Sequence, residues 1–452
     1  MSAAARRLAI AAPAMAVLVV GAASLAGFWP GILSDDSLDQ WSQLLTLKIT
    51  AYHPPVHTLT YWLITRLWLT PAAVAIAQIA VLAGLMFALA RACVAAGAPV
   101  VVALLTAAAL AATPAVGLMS VTLWKDVPYA LGMLGLSYVG WRIAQTRGEA
   151  LASPGTVIGL IVALSSVALY RHNGLPVAAA TALWIVALAA GRRRGVALAA
   201  SAAATALIVA GLTLPPWLLH TGRVHPVLRQ QSAIHQVAAV VAGGGDLRPA
   251  DSAVVASLQP LDQWRADYDC RNVVPTLWRM PAALFDQQQE AFRTAWLHAI
   301  VDHPMIVARH VRCVSGFIWD PRLAPHAFVS MGIPATNKVG LVTAPLSPFA
   351  NGVYWRIYTT TQVPPIVRNL VWGPVLHLVL VLACAGIGWW RLGRRALLPF
   401  LPAILHTLVL IPVIPSAEYR LQYPVVLIGL VAPLLLAGLL GARQTDQSAP
   451  GD

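Results

Sequence analysis

Three carboxylates and two amides crowd the stretch SDDSLDQWSQ, residues 34–43, a few residues after an apolar run that ends at Phe28 and Trp29. Ionisable groups at a membrane boundary are costly and are usually there for function. A carboxylate held at such a place can serve as a general base or as a metal ligand, and Asp35, Asp36 and Asp39 are the candidates. A helix opened by a Ser34 cap would carry Asp35 and Asp36 in its first turn, where acids are favoured. Helical spacing then puts Asp36, Asp39, Gln40 and Gln43 on one face and Leu38, Trp41 and Leu45 on another. Capping accounts for one acid, but not for three with amides beside them.

Other polar groups have the same setting. In YHPPVH, Pro54 and Pro55 stiffen the chain and fix where His53 points, with His57 close by. Imidazole with carboxylate suits Zn or Mn, so Asp36 and His53 are candidate ligands for a divalent metal (Mg, Mn or Zn), without a closed ligand motif. LWKD supplies Lys125 and Asp126; these could pair with each other, or Asp126 could orient a ligand while Lys125 meets a phosphate. RHNG supplies Arg171 and Asn173, with Gly174 for a tight turn. SAEYRLQYP supplies Glu418 and Arg420, which could also be a plain internal pair. If they share one side, Lys125, Arg171 and Arg420 suit a phosphate headgroup, with Gln40, Asn173 and Glu418 as further polar contacts.

Elements that would bring these groups together are apolar helices. The chain is 58% hydrophobic and 10% charged, and several segments run about 18 residues without charge, enough to span a bilayer. Ten spans are expected, at 8–29, 71–90, 98–118, 127–145, 155–170, 175–190, 196–218, 369–390, 397–414 and 424–441. The start imitates a secretory signal, with Arg6, Arg7 and an apolar core, but the later spans make it an uncleaved first helix. With the N-terminus cytoplasmic, the inner connections carry Arg91, Arg142, Arg147, Arg192–Arg194, Arg391, Arg394 and Arg395, as the positive-inside rule requires. The C-terminus is then cytoplasmic too. The formal charge of +13 follows from this bias and does not call for nucleic acid.

Residues 54–70 are apolar but short, and are expected as an interfacial helix with Tyr61, Trp62 and Trp68 at headgroup level. Every polar motif above then falls on the outer side. The expected organisation is a transmembrane module over 1–218, a mainly helical external domain over 219–368, C-terminal helices over 369–441 and a tail over 442–452. Cys270 and Cys313 both fall in the external domain, where a disulfide is allowed. Most histidines there (His220, His225, His235, His298, His303, His310, His326) read as surface or packing residues. No Walker A motif, dinucleotide fingerprint or nucleophile elbow is present, which speaks against a cytoplasmic nucleotide donor.

The order and common side of SDDSLDQW, YHPPVHTLTYWLI, TPAVGLMSVTLWKDVPYAL and SAEYRLQYP resemble the GT-C superfamily of membrane glycosyltransferases. The similarity is to its bacterial branch of aminoarabinose–lipid A transferases and protein mannosyltransferases, over about the first 175 residues and the helical layout of the rest. Many members carry Asp-Glu where this chain has Asp35-Asp36; Asp36 is preferred because it shares a face with Asp39, Gln40 and Gln43. The resemblance implies an all-α GT-C-like fold in the bacterial inner membrane. It also implies inverting transfer of a sugar from a polyprenyl-phosphate donor to a cell-envelope acceptor outside. Asp36 would be the base, Lys125, Arg171 and Arg420 would neutralise the departing phosphate, and His53 and Asp126 would orient acceptor or metal. A transporter or flippase is the main alternative, but transporters place ionisable groups near the bilayer midplane. Here His406 is the main polar group inside a span, and no repeat is seen.

Overall fold

A computed structural model describes residues 3–50, 52–219, 226–323, 329–361 and 365–448. Its elements are helices, with no named strand among the described residues. Among the described residues, ten α-helices precede residue 220: α1 (Ala3–Gly27), α2 (Asp35–Thr46), α3 (Pro55–Thr65), α4 (Pro71–Ala95), α5 (Val100–Ala112), α6 (Pro114–Ser120), α7 (Asp126–Gln145), α8 (Pro154–Tyr170), α9 (Gly174–Leu188) and α10 (Gly191–Leu219). Among the described residues, five helices are long and apolar enough to cross a membrane: α1, α4, α10, Val375–Leu392 and the helix beginning at Tyr423. A sixth span would be the pair α5–α6, bent by 68°. The bend has a local cause. Pro114 pushes the preceding residue out of the helical region, and Thr113 sits at φ −94°, ψ 101°.

Each of the ten expected spans has a helix, but not always one that meets the length and composition of a lone spanning helix. α8 and α9 have only 17 and 15 residues, and Leu401–Leu410 has 10. α7 is long but less apolar. It lies inside the bundle against α4, α8 and the helix Tyr423–Ser448, with Tyr129, Met133, Leu136 and Trp141 buried. A helix wrapped by protein need not be apolar all round. Gly174, expected to serve a tight turn, is required by packing instead: a Cβ there would collide with the Val167 carbonyl. α3, with 11 residues, is too short to cross. Its Leu63 is exposed, whereas Tyr61, expected at headgroup level, is buried and donates to Gln78 Oε1 at 3.3 Å.

The described residues between 226 and 361, expected as one domain, do not all pack on one core. Residues 226–319 are built round a core of Ile234, Val237, Trp264, Phe285 and Phe292, except that Val314, Phe317 and Ile318 pack with Leu410, Ile414 and Leu421. Residues 329–347 return to the start of the site, where Leu33 N donates to Gly332 O (3.3 Å) and Ala344 N to Trp29 O (2.8 Å). The helix Pro348–Thr361 then packs along α1, with Asn351 Nδ2 donating to Gly27 O (2.8 Å) and Ser24 Oγ to Tyr354 Oη (2.6 Å). Its partner surface is a membrane-type helix, so it belongs with the bundle.

The 226–319 unit is fastened to the loop that carries Glu418 and Arg420. Asn272 bridges Ser416, Ala417 N donates to Arg271 O (2.8 Å), and Val273 N donates to Ser416 Oγ (3.1 Å). Beside this contact Cys270 and Cys313 are joined in a disulfide that closes a 43-residue separation. Such a closure contributes roughly 2–4 kcal/mol. Reductant is therefore expected to lower the melting temperature of the wild type, while leaving a Cys270→Ser/Cys313→Ser variant unmoved. Equal insensitivity in both would show that the bridge contributes nothing.

Candidate functional site

One short backbone pairing assembles the site. Ile32 N donates to Val121 O and Leu123 N to Ile32 O, both at 2.9 Å, so the strand-like entries to α2 and α7 run side by side. This sets SDD against LWKD. Trp124 Nε1 donates to Ser34 Oγ at 2.6 Å. The Ser34 hydroxyl makes no side-chain cap to α2, contrary to expectation, because it is turned to Trp124.

α2 is oriented by what it buries. Leu38, Trp41 and Leu44 pack with Tyr61, Val74 and Leu123, while Leu45, expected on that face, is exposed. The amides are buried too, and both are engaged in structure. Gln40 Nε2 donates to His57 Nδ1 at 2.6 Å, tying α2 to α3. Gln43 Nε2 donates to Asp39 Oδ2 at 2.6 Å, and its Oε1 accepts from Thr50 N at 3.0 Å. Gln40 and Asp39, expected as ligand contact and candidate base, are thus directed to their own neighbourhood.

Asp36 is placed differently. With Asp35, Trp124, Ser330, Glu418 and Arg420 it lines a cavity of about 240 Å³. Its Oδ2 accepts from Arg420 Nη1 at 2.6 Å, and Arg420 Nε donates to Glu418. The guanidinium lies 5.0 Å from the centre of the Trp124 ring, a cation–π contact that fixes its plane. Burial would raise the Asp36 carboxyl, but Arg420, Lys125 and His53 outweigh it and hold the group well below the usual carboxylate range.

A second ion pair joins Asp126, at the N-terminus of α7, to Arg171, just after α8. Arg171 Nε also donates to Asn173 Oδ1 at 3.0 Å, and its guanidinium stands 5.6 Å from the centre of the Tyr129 ring. This trio does not line the Asp36 cavity. The Lys125–Asp126 pairing is not formed. Lys125 Nζ instead donates to His53 Nδ1 at 3.0 Å, and among the described residues it has no carboxylate partner. Burial lowers the Lys125 ammonium, and Asp36 and Asp126 both oppose that shift, so this amine lies in the field of both carboxylates.

Burial, then Lys125, pushes the His53 imidazole down to about 3. At neutral pH it is neutral. With Nδ1 accepting from Lys125, the proton belongs on Nε2, which is buried without a partner. The unfolded chain takes up this proton near its ordinary value and the folded one does not, so stability falls as pH drops from about 6.5 towards 3. The His53 share is on the order of a few kcal/mol. A His53→Gln variant is expected to lose less melting temperature than wild type between pH 7 and 4. Parallel losses would show that His53 takes up its proton as readily in the folded chain as in the unfolded one.

His53 and Asp36, the candidate metal pair, each face a cation, Lys125 and Arg420. No group of three His, Cys, Asp or Glu side chains able to hold a metal occurs among the described residues. The residues present do not fit a divalent ion, and no step is assigned to one. Three site residues escaped the sequence. Trp124 stands next to Lys125 in a stretch already singled out, so its position was the available signal. Tyr52, its hydroxyl raised to about 12 by burial and by Asp36, lies 4.5 Å ring to ring from His53. Ser330 comes from the returning segment and had no local signal. Of the histidines in 219–368, His235 and His310 pack edge to face, 4.4 Å between ring centres; His220, His225 and His326 lie outside the described residues.

Beside the site an apolar groove of about 530 Å³ runs between α3, α4, α7 and α8. Tyr61 and Tyr170 line one part of it and Arg142 and Ser153 another, at opposite ends of α7 and α8. Tyr170 precedes Arg171, and Tyr61 lies on His57 at 4.1 Å between ring centres. No protein-family model, curated protein or solved structure matches the chain.

Proposed function

We propose that the chain is a membrane glycosyltransferase of the GT-C type, which moves a sugar from a polyprenyl-phosphate donor to an acceptor hydroxyl of the cell envelope. In this reading all ten helical segments count as spans, the arginine-rich connections face the cytoplasm and the site faces outside, as the positive-inside rule asks. The observation that carries the reading is that Asp36 and Arg420 line one small cavity, with Lys125 on His53 and in the field of the Asp36 carboxylate, while a separate apolar groove runs between α3, α4, α7 and α8. A polar reaction chamber and a greasy groove in the same helical bundle suit a substrate with a sugar phosphate head and an isoprenoid tail.

Asp36 takes the acceptor hydroxyl proton as that oxygen attacks the anomeric carbon. The bond from that carbon to the phosphate oxygen breaks, and the lipid phosphate leaves with the electron pair. Charge develops on the leaving phosphate, where fixed cations help most. Lys125 is best suited, because its partner is a neutral imidazole and not a carboxylate. The buried Nε2–H of His53 offers a second donor to the same oxygens. A carboxylate held low by Arg420 is a weak base. An arriving phosphate competes for Arg420, and loosening that pair returns basicity to Asp36. Donor binding and base activation are then linked.

The test is a panel of radiolabelled polyprenyl-phosphate sugars offered to the purified protein in lipid. Wild type should transfer or hydrolyse one of them. Lys125→Gln should lose about 10²–10³ in turnover, the scale of one lost oxyanion contact. No binding or turnover of any donor would remove the glycosyltransferase reading and bring the transporter forward.

A further inference from the structure

The loop that brings Arg420 to Asp36 is gripped along its length by the 226–319 unit. Pro412 O accepts from Gln236 Nε2 at 3.2 Å and Val413 O from Ser232 Oγ at 2.8 Å, both on the helix Gln231–Ala242. The buried Ser416 then takes Val273 N on its hydroxyl, and Ala417 N donates to Arg271 O. Glu418 and Arg420 follow at once and line the Asp36 cavity.

Two jaws hold the end of this loop. One is a tight turn, Asp269–Asn272, closed by Asn272 N donating to Asp269 O at 3.0 Å, with Cys270 and Arg271 at its tip. The other is apolar: Val314, Phe317 and Ile318 pack with Leu410, Ile414 and Leu421. Cys313 immediately precedes Val314, so the Cys270–Cys313 bridge joins the tip of the first jaw to the root of the second. The base of the turn is fixed within its own unit, where His235 Nε2 donates to Asp269 O at 2.8 Å. Its half-buried tip holds the loop by hydrogen bonds alone, each of small net worth against the entropy of ordering a turn. A covalent tie to the packed jaw keeps the tip in place.

We infer that the 226–319 unit is a clamp that positions Arg420 on Asp36, with Cys270, Cys313 and Ser416 as its positioning residues. Opening the bridge frees the 416–420 loop and loosens Arg420 from Asp36 and Trp124. A dithiol such as dithiothreitol opens it by supplying two electrons and two protons. The S–S bond breaks, two thiols form, and the reagent closes to its own cyclic disulfide. The clamp needs no assumption about the chemistry at Asp36, so it and the transfer reading stand or fall separately.

The purified full chain in neutral detergent is compared before and after reduction by dithiothreitol, with excess reagent removed and well below its melting temperature. Phenylglyoxal probes free guanidinium groups, read residue by residue by mass spectrometry, and hydrogen exchange is followed in parallel. On reduction, labelling of Arg420 should speed about tenfold, and exchange at Val273 and Ala417 by a similar factor, as for a local opening. Arg248, paired with Asp302, should label as before. Cys270→Ser/Cys313→Ser should label Arg420 at the reduced rate with or without reagent. Ser416→Ala keeps the bridge but removes the acceptor for Val273 N, and should speed Arg420 labelling with the bridge closed. An unchanged Arg420 rate in the opened chain overturns the inference. So does equal acceleration of exchange in the core of Trp264 and Phe292, which would make the bridge a staple for the whole unit.

Discussion

Under the proposed function, Asp36→Asn is expected to lower sugar transfer by about 10²–10⁴, the usual worth of a positioned base, while the protein stays folded. The change is nearly isosteric, and Arg420 keeps its bond to Glu418, so the guanidinium is not left alone. The side chain is also 27% exposed, which limits the cost of losing its charge. Rate and stability should therefore separate: a large fall in turnover with a melting temperature near that of wild type. Asp35→Asn is the matched control, because Asp35 lines the same cavity but is exposed and has no pairing with Arg420. Full activity in Asp36→Asn would make its carboxylate an anchor for Arg420 and move the search for the base to Asp35 or Glu418.

Asp126→Leu should instead act on the fold. Asp126 is 1% exposed and Arg171 10%, and removing one partner leaves a buried cation uncompensated, which costs about 3–5 kcal/mol. The pair is itself imperfect, since Asp126 Oδ2 is buried without a hydrogen-bond partner. Asp126→Leu/Arg171→Met should therefore recover most of the stability, as apolar replacements of buried pairs often do. Thermal unfolding of the two single variants and the double variant decides this. Additive losses would mean that the groups do not interact as a pair. The double variant also separates roles: if it folds and still transfers sugar, Arg171 only holds α8 and α9 to α7; if it folds and is inactive, Arg171 reaches the donor phosphate.

Several assignments from sequence were altered by single contacts. Ser34 was legible as a helix cap because local spacing is all that a cap needs, yet Trp124, ninety residues away, claims the hydroxyl. Asp36, Asp39, Gln40 and Gln43 do lie on one helix, but a shared face does not say what stands opposite it. His57 and Thr50 stand opposite the amides and turn them into structural ties, leaving Asp36 in the cavity. The sequence reads residues 219–368 as one separate domain; the helix Pro348–Thr361 packs along α1 instead, because its apolar side chains announce burial without naming α1 as the partner.

The sequence by itself determined the all-helical character and the apolar helices that could enter a membrane. These depend on local composition and on the cost of charge in lipid, which act along the chain. The pairings were decided by tertiary structure alone: Arg420 with Asp36, Arg171 with Asp126, and Lys125 with a neutral His53. Each joins segments 45 to 384 residues apart. Coulomb attraction falls with distance in space and is blind to distance in sequence. Which cation meets which carboxylate is therefore set by how α2, α7 and the 416–420 loop pack, and not by any spacing that can be read along the chain.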